Sequence, residues 1–115
     1  MYSTNQTINN PLQALDELYR TGYRSNILER ALNKIVDIEI AIAHKQLTEL
    51  QVKIQNYEQQ YQMNSEAFYQ RFNLGELGDD VDFVEWSAFY DMHQAVSDRL
   101  KILQPKGNQW THNNT

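Results

Sequence analysis

Carboxylates crowd one stretch of this chain: Glu76, Asp79, Asp80, Asp82, Glu85, Asp91 and Asp98 follow one another with no Lys or Arg between them. Residues of that type at that density can hold a divalent cation, complement the positive end of a helix, or meet a basic partner. As a metal site, Asp80 and Asp82 imitate the opening of a calcium loop, but the glycine and the distant glutamate of such a loop are missing. As a helix start, Asp82 and Glu85 form a D-x-x-E variant of the capping box, with further acids near the positive end of the dipole. As a partner surface, the acids are accompanied by Tyr69, Phe83, Trp86, Phe89 and Tyr90, residue types that anchor interfaces. These readings stay open. The residues singled out for partner binding are Glu76, Asp79, Asp80, Asp82, Glu85, Trp86 and Tyr90, although Phe83 and Trp86 also suit a core, because their helix has no other apolar means of attachment.

Other chemistry is sparse. The histidines are His44, His93 and His112, and none lies in a metal-ligand spacing or beside a nucleophile. The chain has no cysteine, which removes disulfides, thiol catalysis and thiolate metal sites together. No catalytic residue, metal site or cofactor is expected. The formal net charge of -5 argues against a nucleic-acid partner, since phosphate neutralisation needs concentrated Lys and Arg. No basic segment followed by an apolar run opens the chain, and no apolar stretch approaches a membrane span, so a cytoplasmic protein with no membrane partner is expected.

The elements that must position these residues read as helices. Asn10-Pro11 supplies a cap and a first-turn proline, and Gly22 can take the left-handed stop, so a short helix should carry Leu12, Leu15, Leu18 and Tyr19 on one face. Ser25 caps the next helix, which should run to about Met63. Along it Ile40, Ala43, Leu47, Leu50, Ile54, Tyr57 and Tyr61 repeat with heptad spacing. A second seam, Leu28, Ala31, Ile35, Ile38 and Ile42, occupies a shifted phase. The two overlap in Ile35–Ala43, where alternation of Ile with Asp37 and Glu39 also fits a strand. Asn64-Ser65 should cap a short helix from Glu66 to about Asn73, GELGDD should turn, and a last helix should run from Phe83 to about Leu103, ended by Pro105 and Gly107.

Two resemblances add to this. Met63, Ser65, Gly75, Glu76, Leu77, Asp79, Asp80, Asp82, Phe83, Glu85 and Trp86, with Phe68 one position short of the phenylalanine expected, reproduce much of a pattern in which a long helix ends in Tyr-Gly-Met. There Ser-x-x-x-Phe follows, and then Gly-Glu-Leu-x-Asp-Asp-x-Asp-Phe-x-Glu-Trp. In this respect Tyr57–Leu103 resembles the C-terminal module of small bacterial antitoxin-like helical proteins, with Gln62 standing where glycine is common. The segment LQALDELYRTGYRSNILERALNKIV is similar to the helices of ribbon-helix-helix antitoxins of the VapB sort. The latter likeness implies helices and dimerisation. The preceding STNQTINN has one strong apolar residue and no Arg or Lys, so it lacks what a DNA-reading ribbon needs.

The expectation is therefore an all-α fold: a long central helix, a short N-terminal helix and a C-terminal helical hairpin, packed as a homodimeric bundle. A single helical domain should occupy residues 10–104, with flexible tails at 1–9 and 105–115. The dimer seam is assigned to Ile40, Ala43, Leu47, Leu50, Ile54 and Tyr57, because one chain of this size has little surface to cover a helix of roughly 55–60 Å. By resemblance the chain would be an antitoxin component that binds a cognate toxin through its acidic, aromatic region. The alternative is a dimeric coiled-coil adaptor.

Overall fold

The computed structural model describes residues 10–105. Apart from Pro105, the expected tails lie outside the described residues, as do His112 and Gly107. Every regular element among the described residues is a helix, in the order α1 (Pro11–Arg20), α2 (Asn26–Tyr61), α3 (Ser65–Asn73) and α4 (Val81–Leu103). Ile35–Ala43 lies within α2, so the strand alternative is not the one adopted. The apolar periodicity continues on both sides of that segment, and no turn residue interrupts the hydrogen-bond ladder. The chain divides into two compact units, one ending at Ile35 and the other beginning at Val36. Nothing in the sequence marks this division, which falls inside an unbroken helix.

In the first unit, Pro11 opens α1 and the Asn10 side chain accepts the Gln13 amide at 2.8 Å. Gly22, with φ of 92°, ends it: its amide bonds Tyr19 O at 3.0 Å while the Tyr23 amide bonds Leu18 O at 3.2 Å. That pair of bonds is a Schellman motif, which satisfies carbonyls the helix end would otherwise leave open. Ser25 then caps α2 through the Leu28 amide at 3.2 Å. The Tyr19 hydroxyl donates to Glu29 at 2.9 Å, and the Arg24 guanidinium lies 4.0 Å from the centre of the Tyr19 ring. Arg20 pairs with Asp16 one turn away. Both arginines thus have carboxylate or aromatic company within their own unit.

In the second unit, α2 and α4 run antiparallel. Tyr61 meets Phe83, Tyr57 meets Trp86, Lys53 lies over Phe89, and Arg99 donates to Gln46, so positions fall along one helix as they rise along the other. Short α3 reaches this pair through Phe68 and Tyr69. The turn between α2 and α3 is made by Gln62, whose φ of 53° places it in the left-handed region. A side chain is disfavoured there, and the Gln62 amide group partly offsets this by donating to Gln59 O at 2.7 Å. Asn64 caps α3 at the Ala67 amide, 2.9 Å away. Gly75 repeats the Schellman closure at its end, through Gly75 N to Phe72 O and Glu76 N to Arg71 O, both 3.0 Å.

One local expectation needs correction. The cap of α4 is Asp80, which accepts the Asp82 amide at 2.9 Å, and the helix begins at Val81 rather than Phe83. Asp82 and Glu85 do not form a capping box: with Asp80 as the cap both lie inside the helix, and their carboxylates accept tyrosine hydroxyls of α2.

Candidate functional site

The acidic run and its aromatics are brought together, mostly by bonds among themselves. Trp86 is fully buried. Its ring lies parallel to that of Phe68, also fully buried, with centroids 3.8 Å apart, and its indole N–H donates to Ser65 Oγ at 2.9 Å. Ser65 is itself buried, and its amide donates to the Glu58 carboxylate at 2.9 Å. Tyr57 and Tyr61 stack over the other side of Trp86, at 5.7 and 6.0 Å between centroids. The core of this unit is therefore a stack of rings from α2, α3 and α4, with a hydrogen-bonded serine at its end.

Around that stack, carboxylates of α4 accept tyrosine hydroxyls. Tyr57 donates to Glu85, Tyr61 donates to Asp82 at 2.5 Å, and Tyr69 donates to Asp91. An O–H held by a carboxylate is hard to ionise, because the phenolate would face a like charge without a bridging proton. The bond to Glu85, with burial, pushes the Tyr57 hydroxyl up to about 12. The bond to Asp82, again with burial, pushes Tyr61 up to about 12. Tyr69 is raised by its bond to Asp91. In the first unit Tyr19 is raised too, by burial foremost and then by the bond to Glu29.

The residues expected to bind a partner are thus placed unequally. Trp86 cannot be a surface anchor while the core stands, since no solvent reaches it. Asp82 and Glu85 hold α2 to α4. Asp80 caps a helix, Glu76 pairs with Arg71 at 3.3 Å, and Tyr90 packs its ring on Tyr69, centroids 4.5 Å apart. Asp79 is exposed and has no partner among the described residues. Three exposed apolar side chains accompany these acids: Leu74, Val81 and Val84. None of them stood out in the sequence, because each falls outside the apolar line that the helix spacing defined.

The seam assigned to a second copy is placed differently from expectation. Ala43 and Ile54 are buried within the single chain, Ile40, Leu47 and Leu50 are half-buried, and Tyr57 lies on Trp86. Leu50 shares a groove with Met92 and Val96 of α4, and Leu47 shares one with His93. The partner helix for this seam comes from the same chain. The other seam does not share this cover: Ile35, Ile38 and Ile42 remain 55%, 47% and 42% exposed.

His44 is exposed and His93 half-buried. Among the described residues no three His, Cys, Asp or Glu side chains converge in a group able to hold a metal ion. No helix among them is long and apolar enough to cross a membrane. The fold and these surfaces define an all-helical chain. No protein-family profile matches it, and neither a curated protein nor a solved structure matches it significantly.

Proposed function

We propose that this chain is a non-enzymatic protein-interaction module, cytoplasmic and homodimeric, which acts as an antitoxin-like component by binding a basic toxin protein through the start of α4. The observation that carries this reading is the mixed surface of Asp79 and Asp80 with exposed Leu74, Val81 and Val84. Carboxylates steer a basic partner into place, and exposed apolar groups supply the area that holds it. The resemblance of Tyr57–Leu103 to antitoxin-like modules supports the choice of partner. Nucleic acid is not part of the proposal, since Arg20 and Arg24 are engaged within their own unit.

The anchor set is narrower than the seven residues that the sequence singles out. Asp79, Asp80, Glu76 and Tyr90 remain at or near the surface, whereas Trp86 would act by holding α3 and α4 in place. The test is affinity capture from the source cells with the wild-type protein and with Asp79→Lys combined with Val81→Ser. Neither substitution touches the ring stack. A basic protein retained by the wild type at low salt, released at high salt and lost by the variant supports the reading. Equal retention by two equally folded proteins would remove it.

A second reading, the dimeric coiled-coil adaptor with no inhibitory role, is favoured by a different observation: the uncovered isoleucine face of α2. The same capture experiment separates them, because an adaptor would retain its partners without dependence on Asp79 and Val81.

A further inference from the structure

We propose that residues 62–64 are a hinge at which two copies of this chain exchange α3 and α4. In the exchanged form α2 runs on through the hinge into α3, and α4 of each copy packs on α2 of the other. The inference rests on the homodimeric reading proposed above and gives that dimer its form.

The hinge is bent against the preference of its residues. α1 and α3 end on Gly22 and Gly75 in the left-handed region, whereas α2 ends on Gln62, with φ of 53°. There the Met63 amide bonds Glu58 O at 3.3 Å, the longer bond of a Schellman closure that glycine usually makes. A side chain at this position crowds the following carbonyl, so the turn is disfavoured for Gln and a helix favoured. Met63 is also a good helix former, and no proline or glycine stands in the hinge.

Straightening would keep the apolar seam of α2 in phase. After Ile54, Tyr57 and Tyr61 come Ser65, Phe68 and Phe72 at intervals of four, three and four, so a continuous helix carries them on one stripe. The backbone would lose no partner. The Ser65 amide, now held by the Glu58 carboxylate, would bond Tyr61 O, and the Ala67 amide, now capped by Asn64, would bond Met63 O.

The contacts of the folded chain divide at the same place. Phe68 with Trp86 and Tyr69 with Asp91 lie within α3 and α4, and travel with them. Tyr57 with Glu85, Tyr61 with Asp82 and Gln46 with Arg99 join α2 to α4 through side chains alone. The partner's α4 supplies this second set as well as the chain's own does. A second copy is therefore the occupant that fits, because it presents every group that the departing α4 removes.

The experiment refolds the full chain from urea, once concentrated and once dilute, and compares sedimentation after both are brought to one concentration. Concentrated refolding should leave a dimer that persists on dilution, because release requires α4 to leave α2. Gln62→Ala should tighten the dimer and Gln62→Gly should weaken it, each on the order of tenfold, since one favours the helix and the other the left-handed turn. Gln62 is exposed and outside the ring stack, so both variants should fold. The chain has no cysteine, so Gln46→Cys and Arg99→Cys can be placed in separate chains. Refolded together, these should be joined by a short bis-maleimide, whereas copies mixed after dilute folding should not. A wild type monomeric after concentrated refolding, a dimer indifferent to both Gln62 variants, or a dimer with no link between positions 46 and 99 would each overturn the proposal. A monomer that still retains a basic partner would overturn the exchange alone and leave the interaction module standing. A linked dimer that retains no partner would do the reverse.

Discussion

Phe68 and Trp86 lie face to face with ring centroids 3.8 Å apart and planes within 2°, and neither is reached by solvent. One ring comes from α3 and the other from α4, so this contact joins the two elements flanking the GELGDD turn. Ser65 closes it by accepting the indole N–H. Stacked rings of this area contribute largely through burial, with a smaller part from their preferred geometry.

Removing either ring should therefore unfold α3 from α4. Phe68→Ala or Trp86→Ala should destabilise the protein by about 3–5 kcal/mol, the usual range for large aromatic residues in cores. Ser65→Ala should cost about 1–3 kcal/mol, because the buried indole donor is left without an acceptor. Urea denaturation followed by tryptophan fluorescence and circular dichroism checks both. A Trp86→Ala variant as stable as the wild type would contradict the burial of that ring.

Tyrosine ionisation should give the second unit an alkaline limit. Tyr57 and Tyr61 are raised in the folded state from an ordinary value of 10.0 to about 12. Their contribution is therefore fully present below pH 10 and is lost as pH climbs towards 12. The thermal midpoint should fall across that window, in step with tyrosinate absorbance. Tyr57→Phe combined with Tyr61→Phe should be less stable at neutral pH and should lose part of this alkaline dependence. A double variant with the wild-type profile would show that the carboxylate bonds do not persist in solution.

Gln62→Gly should stabilise the protein by about 0.5–1 kcal/mol, since glycine enters the left-handed region without the steric penalty of a side chain. Loss of the bond to Gln59 O and the greater freedom of glycine when unfolded keep the gain small. The denaturant midpoint should rise with an unchanged slope.

Leu47→Lys with Leu50→Lys should lower the stability of the single chain rather than only divide an assembly. Both residues lie half-buried on the α2 face that meets α4, next to Met92, Val96 and His93. A charge placed there loses hydration without gaining a partner. Circular dichroism and sedimentation read together decide the matter: a monomer with full wild-type stability would return this seam to the role of a dimer contact.

Asn10-Pro11, Ser25, Asn64 and the glycines at 22 and 75 announced where helices start and stop, because caps and left-handed closures are local and depend on few neighbours. The heptad run from Ile40 to Tyr61 announced an apolar seam for the same reason: helical spacing alone places those side chains on one face. The tertiary structure decided what each face meets. A seam read from spacing is silent about whether its partner helix belongs to the same chain or to another, and α4 returning antiparallel to α2 settled that for Leu47, Leu50 and Ile54. It also decided that Asp82 and Glu85 accept hydroxyls from Tyr61 and Tyr57, and that Ser65 receives the Trp86 indole. Those pairs lie 21 to 28 residues apart in sequence, beyond the one or two helical turns over which side-chain spacing carries information, and their bonds exist only once the helices have packed.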